Sequence, residues 1–360
     1  MINKEKLNID WINQVTKTTR NTDKILVEKV IHAFLLLEGL VLNNISFVFK
    51  GGTSLMLHFK TPKRLSIDID IIIVDKYENL ENVLENTAKE QGFNRIELQN
   101  RTTKSKIRKA HYKFFYTPIH KTTKEEEYII LDILFEEIAY TNVIQIPIIS
   151  SFVPMENKPI LVQVPCLEDL LGDKLTAFAP NTTGIPYYKG EDSMSMEIIK
   201  QLYDIGNLFD VCTDIITVKK TFKRFSKIEL SYRNNGEKNI TDVLNDIFQT
   251  SLCIASRGTL GDGNFEELQL GIKRIKGFIF SETYHIEKVI ISASKAAYTS
   301  TLIASEENTF DKFKTPLQIK DWSIINPEYN KLNKLKKSNP EAFFYWYKII
   351  ELRSKNLKSI

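Results

Sequence analysis

The sequence predicts an α+β protein, in which a mixed sheet with flanking helices is followed by a mainly α-helical C-terminal domain. Strand-like apolar runs alternate with helical segments up to about residue 165, and from Cys166 onward apolar residues recur at helical spacing. With 360 residues, of which 42% are hydrophobic, the chain is long enough for two packed domains. We therefore expect an α/β domain with an N-terminal helix over 1–165 and a helical domain over 166–360.

The first half begins with a helical pattern over 24–42 and a short strand over 45–50, which runs into a Gly-Gly-Thr-Ser turn and a short helix over 55–60. We then expect a helix over 76–91 and the strands 65–74, 94–99, 110–116, 127–135, 143–149 and 159–164. The second half is expected to contain a basic helical C-terminus after the helices 167–179, 194–210, 214–229, 239–256, 264–280 and 283–304.

Positive charge is concentrated in two stretches, although the net charge of the chain is only +4. Gln99 to Lys124 contains eight Lys or Arg and no acid, and Lys331 to Ile360 contains eight against two acids. Such an imbalance predicts surfaces that meet an anionic partner.

Cysteine spacing and hydropathy exclude several classes of protein. The three cysteines are far apart, so we expect no zinc site and no disulfide framework. The N-terminus lacks a signal-peptide pattern, and no apolar run approaches the ~18 residues of a membrane span. We therefore expect a cytoplasmic protein.

The segment LSIDIDIIIV carries two carboxylates, Asp68 and Asp70, which share one face of a strand because side chains alternate. At roughly 6–7 Å they repel each other by about 2–3 kcal/mol at an effective dielectric near 20. A bound Mg²⁺ would offset that cost, because this ion prefers carboxylate and phosphate oxygens. The alternative is a solvent-facing strand with two acids.

The Gly51-Gly52 turn precedes these acids by one short helix. Glycines let the backbone approach a phosphate closely, and the new helix points free N–H groups at the anion. Thr53 and Ser54 add hydroxyl donors. A lone Gly-Gly pair is usually only a turn, but this combination predicts a phosphate-binding turn beside a metal site.

A third acid, Asp132, lies inside the apolar segment YIILDILF, where an unpaired charge is costly. It lies either at an exposed strand end or opposite a cation. We favour a cation, because a neighbouring strand would bring Asp132 to Asp68 and Asp70.

Two further charged residues lie on the helices of the second half. Lys174 falls within the apolar stripe of CLEDLLGDKLTAF, so it either extends to solvent or serves a buried anionic site. Asp204, in KQLYDIGNLFD, flanks a similar stripe; the alternative is a surface pair with Lys200.

A basic segment interleaves cations with aromatic residues and is typical of proteins that bind single-stranded RNA. Its candidate RNA-binding residues are Arg101, Lys104, Lys106, Arg108 and Lys109. The alternative is a solvated hairpin whose aromatic residues enter the sheet. His58, His111 and His120 have no metal-ligand spacing and are assigned no role.

These motifs resemble those of the AbiEii/AbiGii-type toxin nucleotidyltransferases, within the polymerase-β-like nucleotidyltransferase superfamily. The resemblance covers roughly residues 28–210. It rests on five motifs, Lys50–Leu55, Arg64–Asp70, Leu131–Ile133, Lys174–Ala177 and Leu202–Ile205. It implies a polymerase-β-like sheet and an enzyme that transfers NMP from an NTP with the help of Mg²⁺ or Mn²⁺.

The resemblance also implies a role for each matched residue. Asp68, Asp70 and Asp132 would bind the metal, and Asp132 could also act as the base for the attacking hydroxyl. The remaining nucleotide-binding and catalytic positions would be Gly51, Gly52, Thr53, Ser54, Arg64, Ser66, Lys174 and Asp204. The implied partners are an NTP, the 3′ end of tRNA or another RNA, and a cognate antitoxin.

Three other readings remain open from the sequence. The same fold could modify a small molecule such as an antibiotic, although the basic stretches argue against so small an acceptor. It could be an inactive RNA- or protein-binding module, although the three acids are all present. A kinase that phosphorylates a partner is the weakest of the three.

Overall fold

The chain divides into two compact units, which are described separately below. The computed structural model describes residues 1–74, 77, 79–99, 108–120, 123–233 and 237–357, with side chains as far as Lys355. The first unit comprises Met1–Cys166 and Gly277–Thr283, and the second comprises Leu167–Lys276 and Tyr284–Ile360. The first unit therefore includes a short segment, Gly277–Thr283, that follows helical residues of the second unit in the sequence. The sequence pattern did not indicate that this segment belongs to the first unit.

A five-stranded mixed sheet forms the centre of the first unit. Its strands are β1 (Val48–Lys50), β2 (Ile69–Ile73), β3 (Arg95–Leu98), β4 (Lys109–Tyr116) and β5 (Glu127–Phe135). They lie in the order β1-β2-β5-β4-β3; β2 and β5 are parallel, and the other neighbours are antiparallel. A separate antiparallel pair, β6 (Val143–Pro147) and β7 (Leu161–Pro165), completes the strands of this unit.

Among the described residues of this unit, the α-helices are α1 (Ile9–Thr18), α2 (Lys24–Leu42), α3 (Gly51–His58) and α4 (Leu80–Gln91). Asn8 and Asp23 cap α1 and α2 by accepting backbone N–H groups of the first turn. The core combines buried residues of α2, such as Phe34 and Leu36, with the apolar sheet face that includes Ile71 and Leu131. The predicted α+β fold class is confirmed.

Two elements differ from the sequence prediction close to the expected site. Helix α3 begins at Gly51 itself, because the positive φ of +81° at this residue turns the chain directly out of β1. Strand β2 begins only at Ile69. The residues before it pair elsewhere: Leu65 donates its N–H to the Phe278 carbonyl at 2.7 Å, and Arg64 forms a β-bridge with Ile279.

The second unit is mainly helical, as predicted. Its α-helices are α5 (Leu167–Ala177), α6 (Ser195–Val211), α7 (Ile215–Tyr232), α8 (Ile240–Ala255), α9 (Phe265–Arg274), α10 (Ile286–Ala304), α11 (Leu335–Ser338) and α12 (Pro340–Leu357). A small hairpin of β8 (Tyr188–Lys189) and β9 (Asp192–Ser193) lies between α5 and α6. Over the described ranges, none of the helices combines the length and apolar character needed to cross a bilayer.

Candidate active site

Asp70 and Asp132 face each other across two parallel strands. They are direct register partners of β2 and β5. Directly opposed residues project from the same sheet face, so the two carboxylates are neighbours. The flanking Ile69, Ile71 and Leu131 are buried in the core, whereas both acids are only partly buried. The alternation of the strands thus turns the two acids away from the core.

Basic residues flank this acidic pair on the adjoining strands. Lys50 of β1 is the register partner of Asp70, and His111 of β4 is the register partner of Asp132. Four neighbouring strands therefore contribute one titratable residue each to a single row, which we call the cross-strand row: Lys50, Asp70, Asp132 and His111. The two acids lie in the middle of the row, and Lys50 and His111 lie at its ends. The lysine cation on the strand next to Asp70 limits the repulsion between the carboxylates.

Gly51 lies directly beside the Asp70 carboxylate. An ideal Cβ on Gly51 would lie 2.1 Å from Asp70 Oδ2, a distance at which no side chain fits. Gly52 is crowded in the same way, because its Cβ would lie 2.6 Å from Arg64 Nη2 and 2.7 Å from Ser66 Oγ. The fold thus brings both glycines together with three of the predicted site residues.

Thr53 and Ser54 are fully buried, and their hydroxyls are used within the protein. Thr53 Oγ1 donates to the Asp68 carbonyl at 2.6 Å, and Ser54 Oγ donates to the Gly51 carbonyl at 2.9 Å. We therefore assign these hydroxyls to shaping the turn and the Asp68 backbone. The donors left for a phosphate are the backbone N–H groups of the first turn of α3, because Lys50 at the N-cap makes no side-chain capping bond.

The chemistry of the acidic residues fits a hard divalent cation. Asp70 and Asp132 offer adjacent carboxylate oxygens, and Asp68 lies just before β2 with its backbone held by Thr53. Within the described ranges, no three or more His, Cys, Asp or Glu side chains form a group that could hold a metal by themselves. Mg²⁺ does not need such a group, because proteins commonly bind it through one or two carboxylates together with substrate phosphates.

His111 is the residue of this site to which the sequence assigned no role. Its Nδ1 atom lies 2.5 Å from Asp132 Oδ1, and its side chain is only 14% exposed, against 32% for Asp132. Spacing typical of metal ligands does not indicate His111, because this residue contacts the acid Asp132 and no other histidine or cysteine lies at ligand spacing from it in the sequence. The register of the β4–β5 hairpin, which pairs His111 with Asp132, is the feature that would have indicated this residue.

Lys174 and Asp204 form a buried ion pair within the helical unit. Lys174 Nζ lies 2.7 Å from Asp204 Oδ2, and the two side chains are 6% and 4% exposed. Lys174 also donates to Gln201 Oε1 at 3.1 Å. Lys174 therefore does not extend to solvent, and Asp204 is not a surface residue. The pairing gives both charges a structural role on α5 and α6.

The basic segment is only partly described. Arg101, Lys104 and Lys106 lie outside the described residues. Arg108 and Lys109, at the start of β4, are both exposed. The Arg108 guanidinium lies over the Phe135 ring at 5.0 Å from its centroid, and the Arg108 carbonyl accepts the Phe135 N–H at 3.0 Å. The Arg108 cation is thus held at the end of the sheet, and Lys109 is the exposed residue next to it.

A mixed sheet that pairs acids beside a glycine turn defines a class, the nucleotidyltransferases, and the sequence comparison agrees. The family model described as "Nucleotidyl transferase AbiEii toxin, Type IV TA system" matches residues 35–278, more than half of the chain. The chain belongs to this family, and the protein is a nucleotidyltransferase. The predicted family and enzyme class are confirmed.

Two solved structures from Helicobacter pylori are also similar to this chain. One is the crystal structure of JHP933, and the other is that of a candidate nucleotidyltransferase. Each is 17% identical, covers 77% of this chain and 92% of its own, and has a TM-score of 0.41. A likeness at that level says nothing about activity. No curated protein sequence matches the chain.

Proposed function

We propose that the protein transfers NMP from an NTP to an RNA 3′ end, with tRNA as the acceptor, and that it needs Mg²⁺ or Mn²⁺ for this reaction. The observation that carries the proposal is the pairing of Asp70 with Asp132 directly beside the Gly51 turn. Membership of a type IV toxin family adds an antitoxin partner and an NTP substrate. In this proposal the protein acts in the cytoplasm, where both RNA and NTPs are available.

The turn at Gly51 and Gly52 would bind the triphosphate. The first N–H groups of α3 would donate to the phosphate oxygens. The missing Cβ atoms of the two glycines leave room for Asp70, Arg64 and Ser66 directly beside this turn. Arg64 and Ser66, which crowd Gly52, supply a fixed cation and a hydroxyl at the same place. These groups would stabilise the negative charge that develops as pyrophosphate leaves.

The acids would act at the reacting end of the nucleotide. Asp68, Asp70 and Asp132 would hold the divalent cation, which supplies electrostatic stabilisation of the phosphoryl oxygens. Asp132 would accept the proton of the attacking hydroxyl; its position beside Asp70 and its 32% exposed side chain support this role.

The acceptor is inferred from charge and family. Arg108 and Lys109 project exposed cations from the unit that contains the acids. Cations of this kind bind a nucleic-acid backbone. A small-molecule acceptor would not need them. Lys174 and Asp204, which the family motif includes, are proposed to affect the reaction as well, in addition to their structural ion pair.

The test is transfer of label from each α-labelled NTP to total RNA in the presence of Mg²⁺. We expect labelling of RNA of tRNA size by the wild-type protein. The variants Asp70→Asn and Asp132→Asn should abolish it while remaining folded, because each removes a charge from a crowded pair. Circular dichroism and thermal unfolding of both variants provide the control for folding.

Each alternative gives a different result in this assay. Label on a small molecule but not on RNA would overturn the RNA acceptor and leave the enzyme class standing. RNA binding without transfer by any NTP would support the inactive binding module. Full transfer by both Asn variants would remove the two acids from the mechanism.

A further inference from the structure

The cross-strand row contains a residue that no family motif includes, His111. We propose that His111 is a positioning residue, which holds the Asp132 carboxylate in a fixed orientation for nucleotidyl transfer. The inference rests on the proposed function, since it concerns an acid of that reaction. It goes further because it assigns a role to a side chain that the sequence left without one.

The hydrogen bond between the two residues is short and follows directly from the fold. His111 and Asp132 are register partners of the antiparallel strands β4 and β5, so their side chains lie on one face. His111 Nδ1 lies 2.5 Å from Asp132 Oδ1. Because a carboxylate oxygen accepts hydrogen bonds, we assign the donor of this contact to the N–H at Nδ1 of His111.

One hydrogen bond on one oxygen is what an orienting group requires. A carboxylate rotates readily about its terminal torsion, and a donor on Oδ1 fixes that rotation. The second oxygen, Oδ2, then points in a defined direction for a cation or a hydroxyl. The ring is less exposed than the acid, at 14% against 32%, so the held carboxylate is the more accessible of the two.

The backbone of β4 fixes the ring in turn. Gln99 donates its N–H to the His111 carbonyl at 2.7 Å, and the ladder between β4 and β5 continues for two residues before His111 and five after it. The histidine is therefore carried by the middle of a sheet rather than by a loop. Groups on rigid elements place catalytic side chains more precisely than groups on loops.

The order of residues in the cross-strand row explains why Asp132 needs a group that fixes its orientation. Asp132 is flanked by Asp70, a like charge that favours rotation of the carboxylate away from it. The N–H of His111, on the strand opposite to that of Asp70, binds one oxygen of Asp132 and so limits the orientations that this carboxylate can adopt. The other acid, Asp70, lies beside Gly51 in space that a larger residue at that position would occupy.

The experiment compares three substitutions that differ in where they place a donor. In His111→Asn the amide nitrogen can occupy the place of Nδ1, whereas in His111→Gln it falls near the place of Nε2. His111→Phe keeps the ring shape and removes both donors. We expect kcat to fall by about 10²-fold for Phe and Gln, a magnitude typical of a misplaced reacting group. We expect Asn to recover most of the wild-type value.

Two further measurements separate positioning from a purely structural role. KM for the NTP should stay within about twofold in all three variants, because the Gly51–Gly52 turn is untouched. Without NTP or metal, the decreases in Tm of His111→Phe and Asp132→Ala should be non-additive, because either substitution alone already removes the hydrogen bond.

The outcomes distinguish this inference from the proposed function. If the wild-type protein transfers no nucleotide but the decreases in Tm are non-additive, the function fails and the hydrogen bond stands without a catalytic purpose. If the wild-type protein is active and His111→Phe matches its kcat, the positioning role is wrong. Equal decreases in kcat for Asn and Phe would also overturn it, because restoring the donor would then have no effect.

Discussion

Gly51 leaves no room for a side chain because Asp70 Oδ2 lies 2.1 Å from the place where its Cβ would be. The turn that would receive phosphates and the acid that would bind a metal are therefore in direct contact. This contact makes the glycine as specific to the site as the carboxylate.

Gly51→Ala is expected to reduce nucleotidyl transfer by about 10²-fold, because the new methyl group must displace the Asp70 carboxylate. Gly92→Ala is the matched control. Gly92 has nearly the same φ, +80° against +81°, but a Cβ there meets nothing within 4 Å. Both variants should lose about 1–2 kcal/mol of stability from the left-handed backbone. Only Gly51→Ala should lose activity; equal activity of the two variants would contradict the close approach of Gly51 and Asp70.

Lys174→Ala is expected to destabilise the protein by about 3–5 kcal/mol, because it leaves the Asp204 carboxylate buried without its ionic partner. Asp204→Ala should cost a similar amount. The double variant Lys174→Met with Asp204→Leu should recover much of the stability, and thermal or urea unfolding measures all three.

The activity of that double variant tests the role implied by the family motif. Specific activity is measured per folded molecule. If the stable double variant transfers nucleotide at the wild-type rate, the pair is structural only. A large decrease in activity with recovered stability would show that Lys174 or Asp204 also serves the reaction.

His32 predicts a decrease in stability in mild acid. Its ring is stacked on Tyr116 with centroids 3.6 Å apart, and its Nδ1 atom meets no hydrogen-bond partner among the described residues. Burial lowers the pKa of His32 from 6.5 to about 3. In the unfolded chain His32 therefore binds a proton below pH 6.5, whereas in the folded protein it does so only at about pH 3. Each pH unit in that window costs the native state about 1.4 kcal/mol.

The measurement is urea unfolding between pH 7 and pH 4.5 for the wild-type protein and for His32→Phe. We expect the difference in unfolding free energy to grow in favour of His32→Phe as the pH falls. His285→Gln changes an exposed histidine and is the control. Parallel pH profiles for wild type and His32→Phe would contradict the buried, neutral ring.

The exposed pair Arg108 and Lys109 is expected to contribute to RNA affinity. Arg108→Gln with Lys109→Gln should weaken RNA binding and leave NTP binding unchanged. The log–log salt dependence should flatten by roughly 0.7–0.9 for each phosphate that the variant no longer neutralises. Lys17→Gln with Lys89→Gln removes two other exposed cations of the same unit as a control. Unchanged RNA affinity together with a failure of the antitoxin to neutralise the variant would show that this surface binds the partner protein instead.

Much of this fold follows from local pattern, because the information is contained in neighbouring residues. The alternation in Glu127–Phe135 predicts β5 without error, and the acids of that strand and of β2 meet as the motif order suggests. What the sequence could not give depends on register and on distant residues. His111 reaches Asp132 only because β4 and β5 pair in the register that places Tyr116 opposite Glu127.

The hydrophobic pattern of the sequence also could not predict which side chains of two separate helices would pair. Lys174 in an apolar stripe, taken alone, suggests that its removal would relieve a burial penalty. The opposing Asp204 reverses that expectation, and nothing in the spacing along α5 or α6 identifies such a partner. Likewise, hydroxyls beside a glycine turn suggest phosphate donors, whereas Thr53 and Ser54 are used by the backbone around them.

The pairing of Arg64 and Leu65 with Ile279 and Phe278 has a consequence for the order in which the protein is made. The ribosome completes Met1–Cys166 long before it reaches Gly277–Thr283, the segment that closes the same unit. Until translation has passed residue 283, a nascent chain therefore lacks the residues that pair with Arg64 and Leu65, just before Asp68 and Asp70. We expect the enzyme to remain inactive until this segment has been synthesised, so nucleotidyl transfer would begin only after residue 283 has emerged from the ribosome.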